Sequence, residues 1–188
     1  MENMTDVMVD IETMGTNPHT SGIIQVSAIK FNYETGELGG MFDRCPMPLP
    51  FRGWSDSTRE FWNGRNRKVY ESIIMRSEPA RPVYEDFVKF STDGAPANGY
   101  RFWSKPLSFD FAFLADALES LDMKMPYHFR YARDLNSFAA GLIGNPEHPD
   151  LEGRVVNEGD AHNGLHDCAY QIDMLMHIKS RFIPSEVL

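Results

Sequence analysis

Cysteine is scarce in this chain. Only Cys45 and Cys168 occur, far apart and without a Cys-x-x-Cys pair. That excludes a disulfide scaffold and a thiolate zinc site, and leaves both thiols free. Long apolar runs are missing too: none approaches the roughly 20 residues needed to span a bilayer. Behind Met1 stand the acids Glu2 and Asp6, with no basic segment leading into an apolar one, so no secretory signal is legible. The expectation is a soluble, intracellular, cytoplasmic protein with no membrane partner. Positive charge is also in deficit, with 18 Lys and Arg against 27 Asp and Glu and a net charge of −9. Such a balance argues against a partner held by phosphate contacts alone.

What is present is an ordinary globular composition, 42% hydrophobic and 24% charged over 188 residues. One domain over residues 1–188 is expected, long enough to bury a core. The basic residues that do occur are concentrated. Between Arg52 and Arg81 seven of them (Arg52, Arg59, Arg65, Arg67, Lys68, Arg76, Arg81) face four acids, so this stretch carries +3 and the remainder −12. A basic flank on an acidic body suits a grip on a short length of nucleic-acid backbone, and equally suits a solvated helical face.

Residues 5–11 read as a buried strand. Ile23–Tyr33 reads as a second, joined through the Glu34-Thr35-Gly36-Glu37 turn to a third over Leu38–Arg44, the two forming a hairpin. The prolines of Pro46–Pro50 permit neither ladder nor helix and lead the chain out of the sheet. Helical spacing then runs to Asn63 behind a cap at Asp56 or Ser57, again over Arg67–Arg76, and again through Val83, Phe87, Val88 and Phe90. Ala97–Trp103 is expected as a fourth strand, Phe109–Leu121 as an apolar helix, Tyr127–Ala132 as a fifth strand and Leu135–Ile143 as a helix capped by Asp134. Asn145–Glu158 is a polar loop, and Leu165–Phe182 the last helix. Three opening strands followed by alternating helix and strand predict an α/β fold: a five-stranded mixed sheet, three strands antiparallel and two parallel to the first, flanked by helices.

The stretch that carries chemistry is Val9-Asp10-Ile11-Glu12-Thr13-Met14-Gly15. In a strand, residues two apart share a face, so Asp10 and Glu12 project side by side and repel. A hard cation with oxygen ligands relieves that repulsion; a solvated strand end tolerates it without one. The predicted crossovers bring the start of the helix holding Asp110 near the end of the first strand. The last helix supplies Asp167, five residues after His162 and loosened from it by Gly164. Each has an ordinary alternative. Asp110 fits a helix N-terminus by dipole alone, Asp167 is an equally good first-turn acid, and a loop histidine is usually solvated. Together, four acids and one histidine fall at the ends of three elements expected to meet. That spacing lets His162 approach a bound water while Asp167 stays fixed.

Asp10-x-Glu12 after an apolar strand, Ser108-Phe109-Asp110-Phe111 opening a helix, and His162-x4-Asp167 resemble the three motifs of the DnaQ-like, DEDDh group of 3′-to-5′ exonucleases in the ribonuclease H-like superfamily. Thr58-Arg59-Glu60-Phe61-Trp62 and Asn98–Ser104 are similar to small phage exonucleases of the DexA kind and related bacterial exoribonucleases. Gly164 stands where that motif often has alanine, and His166 is an unusual neighbour of Asp167. The resemblance implies a ribonuclease H-like sheet and removal of nucleoside 5′-monophosphates from the 3′ end of single-stranded DNA or RNA. It further implies two divalent ions, Mg²⁺ or Mn²⁺, held by Asp10, Glu12, Asp110 and Asp167, with His162 as the general base. Thr13 and Met14 would meet the terminal base, and Trp62, Trp103 or Phe111 would stack bases. Arg59, Arg65 and Arg67 are candidates for phosphate contact. The resemblance leaves a homodimer open, and places the protein in the host cytoplasm if its origin is a phage. Two rivals are a catalytically silent nucleic-acid-binding or scaffolding domain on this fold, and a zinc hydrolase using His162 and His166.

Overall fold

The computed structural model describes residues 3–64, 66–146 and 162–183. The central strand is β1 (Asp6–Thr13), whose alternation separates two cores. Val7, Val9 and Ile11 point to one face, packed with Phe102 and with Val83, Phe87, Phe113 and Leu114 of two helices. Met8 points to the other, among Leu135, Ala139, Cys168, Ile172 and Leu175. Period-two burial on both faces is what a sheet sandwiched between helical layers requires.

β2 (Ile23–Phe31) pairs antiparallel with β1, and β3 (Leu38–Pro46) antiparallel with β2. Two short helices follow, α1 (Asp56–Asn63) and α2 (Arg67–Met75). They lead to β4 (Ser77–Glu78), which runs parallel to β3 at the edge. Then come α3 (Ala80–Thr92), β5 (Arg101–Ser104), α4 (Leu107–Glu119), β6 (Ala132–Asp134), α5 (Leu135–Ile143) and α6 (Gly164–Phe182). The strand order is β4-β3-β2-β1-β5-β6, with β5 parallel to β1 and β6 parallel to β5.

The mixed α/β architecture agrees with the sequence reading, while the strand count becomes six. The two-residue β4 lies just before Pro79 and is too short to show periodicity. Arg44 reaches from β3 to Glu78 and Asp86 to hold this edge. β5 and β6 are shorter and begin later than expected. Residues 129–131 form a 3₁₀ turn rather than a strand, because the His128 ring accepts the Arg130 amide and tightens the chain. The cap of α1 is Ser55, whose Oγ accepts the Thr58 amide at 3.3 Å. Pro82 sits in the first turn of α3, where a missing N–H costs no helical hydrogen bond. Most of the expected 145–158 loop lies outside the described residues. No described helix is long and apolar enough to cross a membrane.

Candidate active site

Asp10 and Glu12 lie on the β1 face that meets α6, because they share the parity of Met8. α6 crosses this face so closely that a Cβ on Gly164 would fall 2.3 Å from Ser27 Oγ and 2.8 Å from Ser27 Cβ on β2. Glycine is therefore required where the motif often has alanine. That approach brings the first turn of α6 over the end of β1. Ligand atoms of Glu12, His162 and Asp167 come within 4.8 Å of one another, and His162 Nδ1 lies 3.7 Å from Glu12 Oε1. His162 itself takes a left-handed backbone, φ 64°. Its ring stands edge-on to Phe61, with centroids 4.8 Å apart, and near Trp62 at 6.2 Å.

Asp110 enters from the first turn of α4. Its Oδ1 accepts the Ile11 amide at 3.1 Å, fixing the carboxylate against β1 between Asp10 and Glu12 in sequence. Asp10 Oδ1 accepts from Gln171 Nε2 at 3.0 Å. Burial raises the Asp10 carboxyl well above the ordinary range; the charges of Asp110 and Asp167 add to that, while the Gln171 hydrogen bond and Lys105 oppose it. Glu12 is raised well above its ordinary value by burial and then by Asp10, Asp167 and Asp110. Asp110 is pushed up to about 7 by burial, partly offset by backbone donors including the Ile11 amide. Asp167 is raised by burial, against the pull of His162. Four carboxyls whose charged forms are disfavoured by burial, two of them also strongly by one another, fit a hard divalent cation with oxygen ligands.

Burial separates the aromatic candidates. Trp62 is 1% exposed, and its indole N–H donates to the Thr13 carbonyl at 3.1 Å. Trp103 is 2% exposed and donates to Asp6 Oδ1 at 2.6 Å, in the core against Phe138. Neither offers a ring face to a base. Thr13 ends β1 and Met14 follows it, both buried, Met14 packing with Ile24, Cys45, Trp62 and Ile73. Phe111 is half-buried and lines an open cleft of about 480 Å³ with Pro106, Leu107, Ser108, Asp134 and Ser137. His166 is exposed and is not a member of the Glu12–His162–Asp167 group. Arg59 and Arg67 engage Asp56 and Glu71 on their own helices. Arg65 lies outside the described residues.

Two residues join the site that motif spacing does not mark. Phe61 abuts His162, and its signal was its place in the Phe61-Trp62 pair. Gln171 follows Asp167 by four positions, the spacing that puts two side chains on one helix face.

The fold is similar to that of E. coli exonuclease I in complex with a dT13 oligonucleotide: TM-score 0.72, 15% identity, 95% of this chain and 41% of that one. It is also similar to the zinc-bound form of the E. coli exonuclease I–ssDNA complex, with TM-score 0.68, 16% identity, 96% of this chain and 41% of that one. Cell-death related nuclease 4 (CRN-4) gives a TM-score of 0.65 at 16% identity, over 93% of this chain and 64% of that one. At such identities the likeness concerns the fold, and the chain spans less than half the length of the exonuclease I chains. Comparison with curated protein sequences gave no match. The family model of the Rv2179c-like 3′-5′ exoribonuclease domain matches residues 5–179, nearly the whole chain and all five motif residues, and the chain belongs to that family.

Proposed function

We propose that the chain is one metal-dependent 3′-to-5′ exonuclease domain, removing nucleoside 5′-monophosphates from the 3′ end of single-stranded nucleic acid. The observation that carries the reading is the convergence of Glu12, His162 and Asp167 within 4.8 Å, beside the half-buried Asp10 and the buried Asp110. Asp10, Glu12, Asp110 and Asp167 would hold two divalent ions, Mg²⁺ or Mn²⁺, which supply Lewis acidity at the scissile phosphate and an acidified water. His162 takes the proton of that attacking water. The carboxylate of Glu12, 3.7 Å from Nδ1, stabilises the imidazolium that results. The Phe61 edge limits how far the ring turns. Phe111, half-buried in the cleft at the start of α4, is the aromatic side chain we propose to meet a base. A single-stranded substrate is supported by the oligonucleotide-bound exonuclease I structures of the same fold.

The test uses 5′-labelled DNA and RNA oligonucleotides with Mg²⁺, with Mn²⁺ and with EDTA. A ladder of products shortened from the 3′ end, with metal only, is expected, and Asp10→Ala and His162→Ala should each abolish it. Cleavage that persists in EDTA, or variants as active as the parent, would overturn the reading and favour a silent binding domain.

A further inference from the structure

We propose that Gln171 is a positioning residue for Asp10: its amide fixes which carboxylate oxygen faces the metal, and so sets the affinity of the site. The inference rests on the reading of Asp10 as a ligand. Gln171 lies one turn beyond Asp167 on α6, on the same face, so one helix supplies both a ligand and the support of another ligand. It is 6% exposed, and its Nε2 donates to Asp10 Oδ1 at 3.0 Å.

The other end of the amide argues against a purely packing role. Gln171 Oε1 is buried and has no hydrogen-bond partner among the described residues. A stranded buried acceptor is unfavourable, and an apolar side chain of similar length would fill the same space without one. The feature that glutamine adds at this position is the N–H aimed at Asp10.

Asp10 needs such a tether. The charges of Asp110 and Asp167 repel it, and an aspartate has two rotatable bonds through which to turn away. Asp110 is held in the same way, by the Ile11 amide on its Oδ1. In each aspartate Oδ1 is engaged by a protein donor. The tether on Asp110 is backbone and cannot be removed by substitution; the tether on Asp10 is a side chain and can. Outer partners of this kind typically change metal affinity or activity about 10- to 100-fold when lost.

Gln171→Met keeps length and burial and removes the donor. Gln171→Asn keeps an amide but is one methylene too short to reach. Mn²⁺ binding measured by calorimetry on the full chain should weaken about 10- to 100-fold in either variant. The melting temperature in EDTA should be unchanged or raised in Gln171→Met, and KM for the oligonucleotide should hold while kcat at limiting metal falls. In an Asp10→Asn background, Gln171→Met should cause no further loss of Mn²⁺ affinity, because the residue acts through Asp10. Either folded variant binding Mn²⁺ as the parent does overturns the proposal. A further loss in the Asp10→Asn background overturns it, as does failure of both variants to fold. Parental Mn²⁺ affinity in Asp10→Ala would instead overturn the reading of Asp10 as a ligand.

Discussion

Asp110 is the most sharply defined of the four acids: 3% exposed, tied to Ile11 through one oxygen, and pushed up to about 7 chiefly by burial. Its carboxyl is less acidic in the folded chain than in the unfolded one, where it is near 4, so the folded state binds the extra proton. The resulting stability is fully present below about pH 4 and is lost as pH rises towards about 7. Asp10 and Glu12 shift in the same direction. The metal-free protein should therefore melt several degrees lower at pH 8 than at pH 5.5. Asp110→Asn retains an oxygen for the Ile11 amide and removes the charge, so it should raise the melting temperature in EDTA at pH 8 and reduce this pH dependence, while abolishing cleavage. Thermal melts of both proteins in EDTA at the two pH values decide the matter. A parental pH dependence in Asp110→Asn would show that this carboxyl is not strained by its site.

The contact between α6 and the sheet is the element-scale feature on which the site depends. It rests on the bare Cα of Gly164 above Ser27, whose Oγ is itself held by Asp43 at 2.8 Å. Gly164→Ala forces a methyl into that gap and should destabilise the fold by about 1–3 kcal/mol, read by chemical denaturation. It should also reduce cleavage, because α6 carries Asp167 outward with it. Ser27→Gly should restore much of the loss in the double variant, and no restoration would mean that the strain lies elsewhere. The need for glycine was not legible in the sequence, since it depends on the register that sets Ser27 of β2 beneath α6. The strands and helices that carry the motifs were legible, because β1 is apolar on both faces and α4 and α6 show long periodic runs. β4 was not, being two residues long and defined by pairing with β3, and β6 was legible as a strand but not in its bounds, which its pairing with β5 sets at Ala132–Asp134. The convergence of the acids followed from the crossover rule alone. The burial of Trp62 and Trp103 did not, because an indole suits a core and a stacking surface equally, and only the carbonyl of Thr13 and the carboxylate of Asp6 show which role each takes.

For the molecule as a whole, a net charge of −9 must be reconciled with a polyanionic substrate. The basic flank contributes less than its sequence suggested. Arg52 is bound to Asp116, Arg76 to Asp43, Arg67 to Glu71 and Arg81 to Glu85. With these guanidiniums already paired, the cations proposed at the carboxylate cluster would be the principal source of positive charge where the scissile phosphate would lie. Metal binding should then stabilise the fold as well as permit cleavage. At a concentration 100 times its Kd, a ligand of the folded state alone adds about 2.7 kcal/mol. In a chain of this size each kcal/mol raises the melting temperature by roughly 2–4 °C, so saturating Mn²⁺ should raise it by about 5–10 °C. The rise should be larger at pH 8 than at pH 5.5, where protons compete for the same oxygens. Asp110→Asn should lose most of the shift, whereas Asp116→Asn, away from the cluster, should retain it even though its own pairing with Arg52 is weakened. Equal shifts in the two variants would place the bound cation somewhere other than the end of β1. No shift in the parent protein would mean that its four clustered acids are relieved by protons rather than by metal, and that the fold carries the motif without the site.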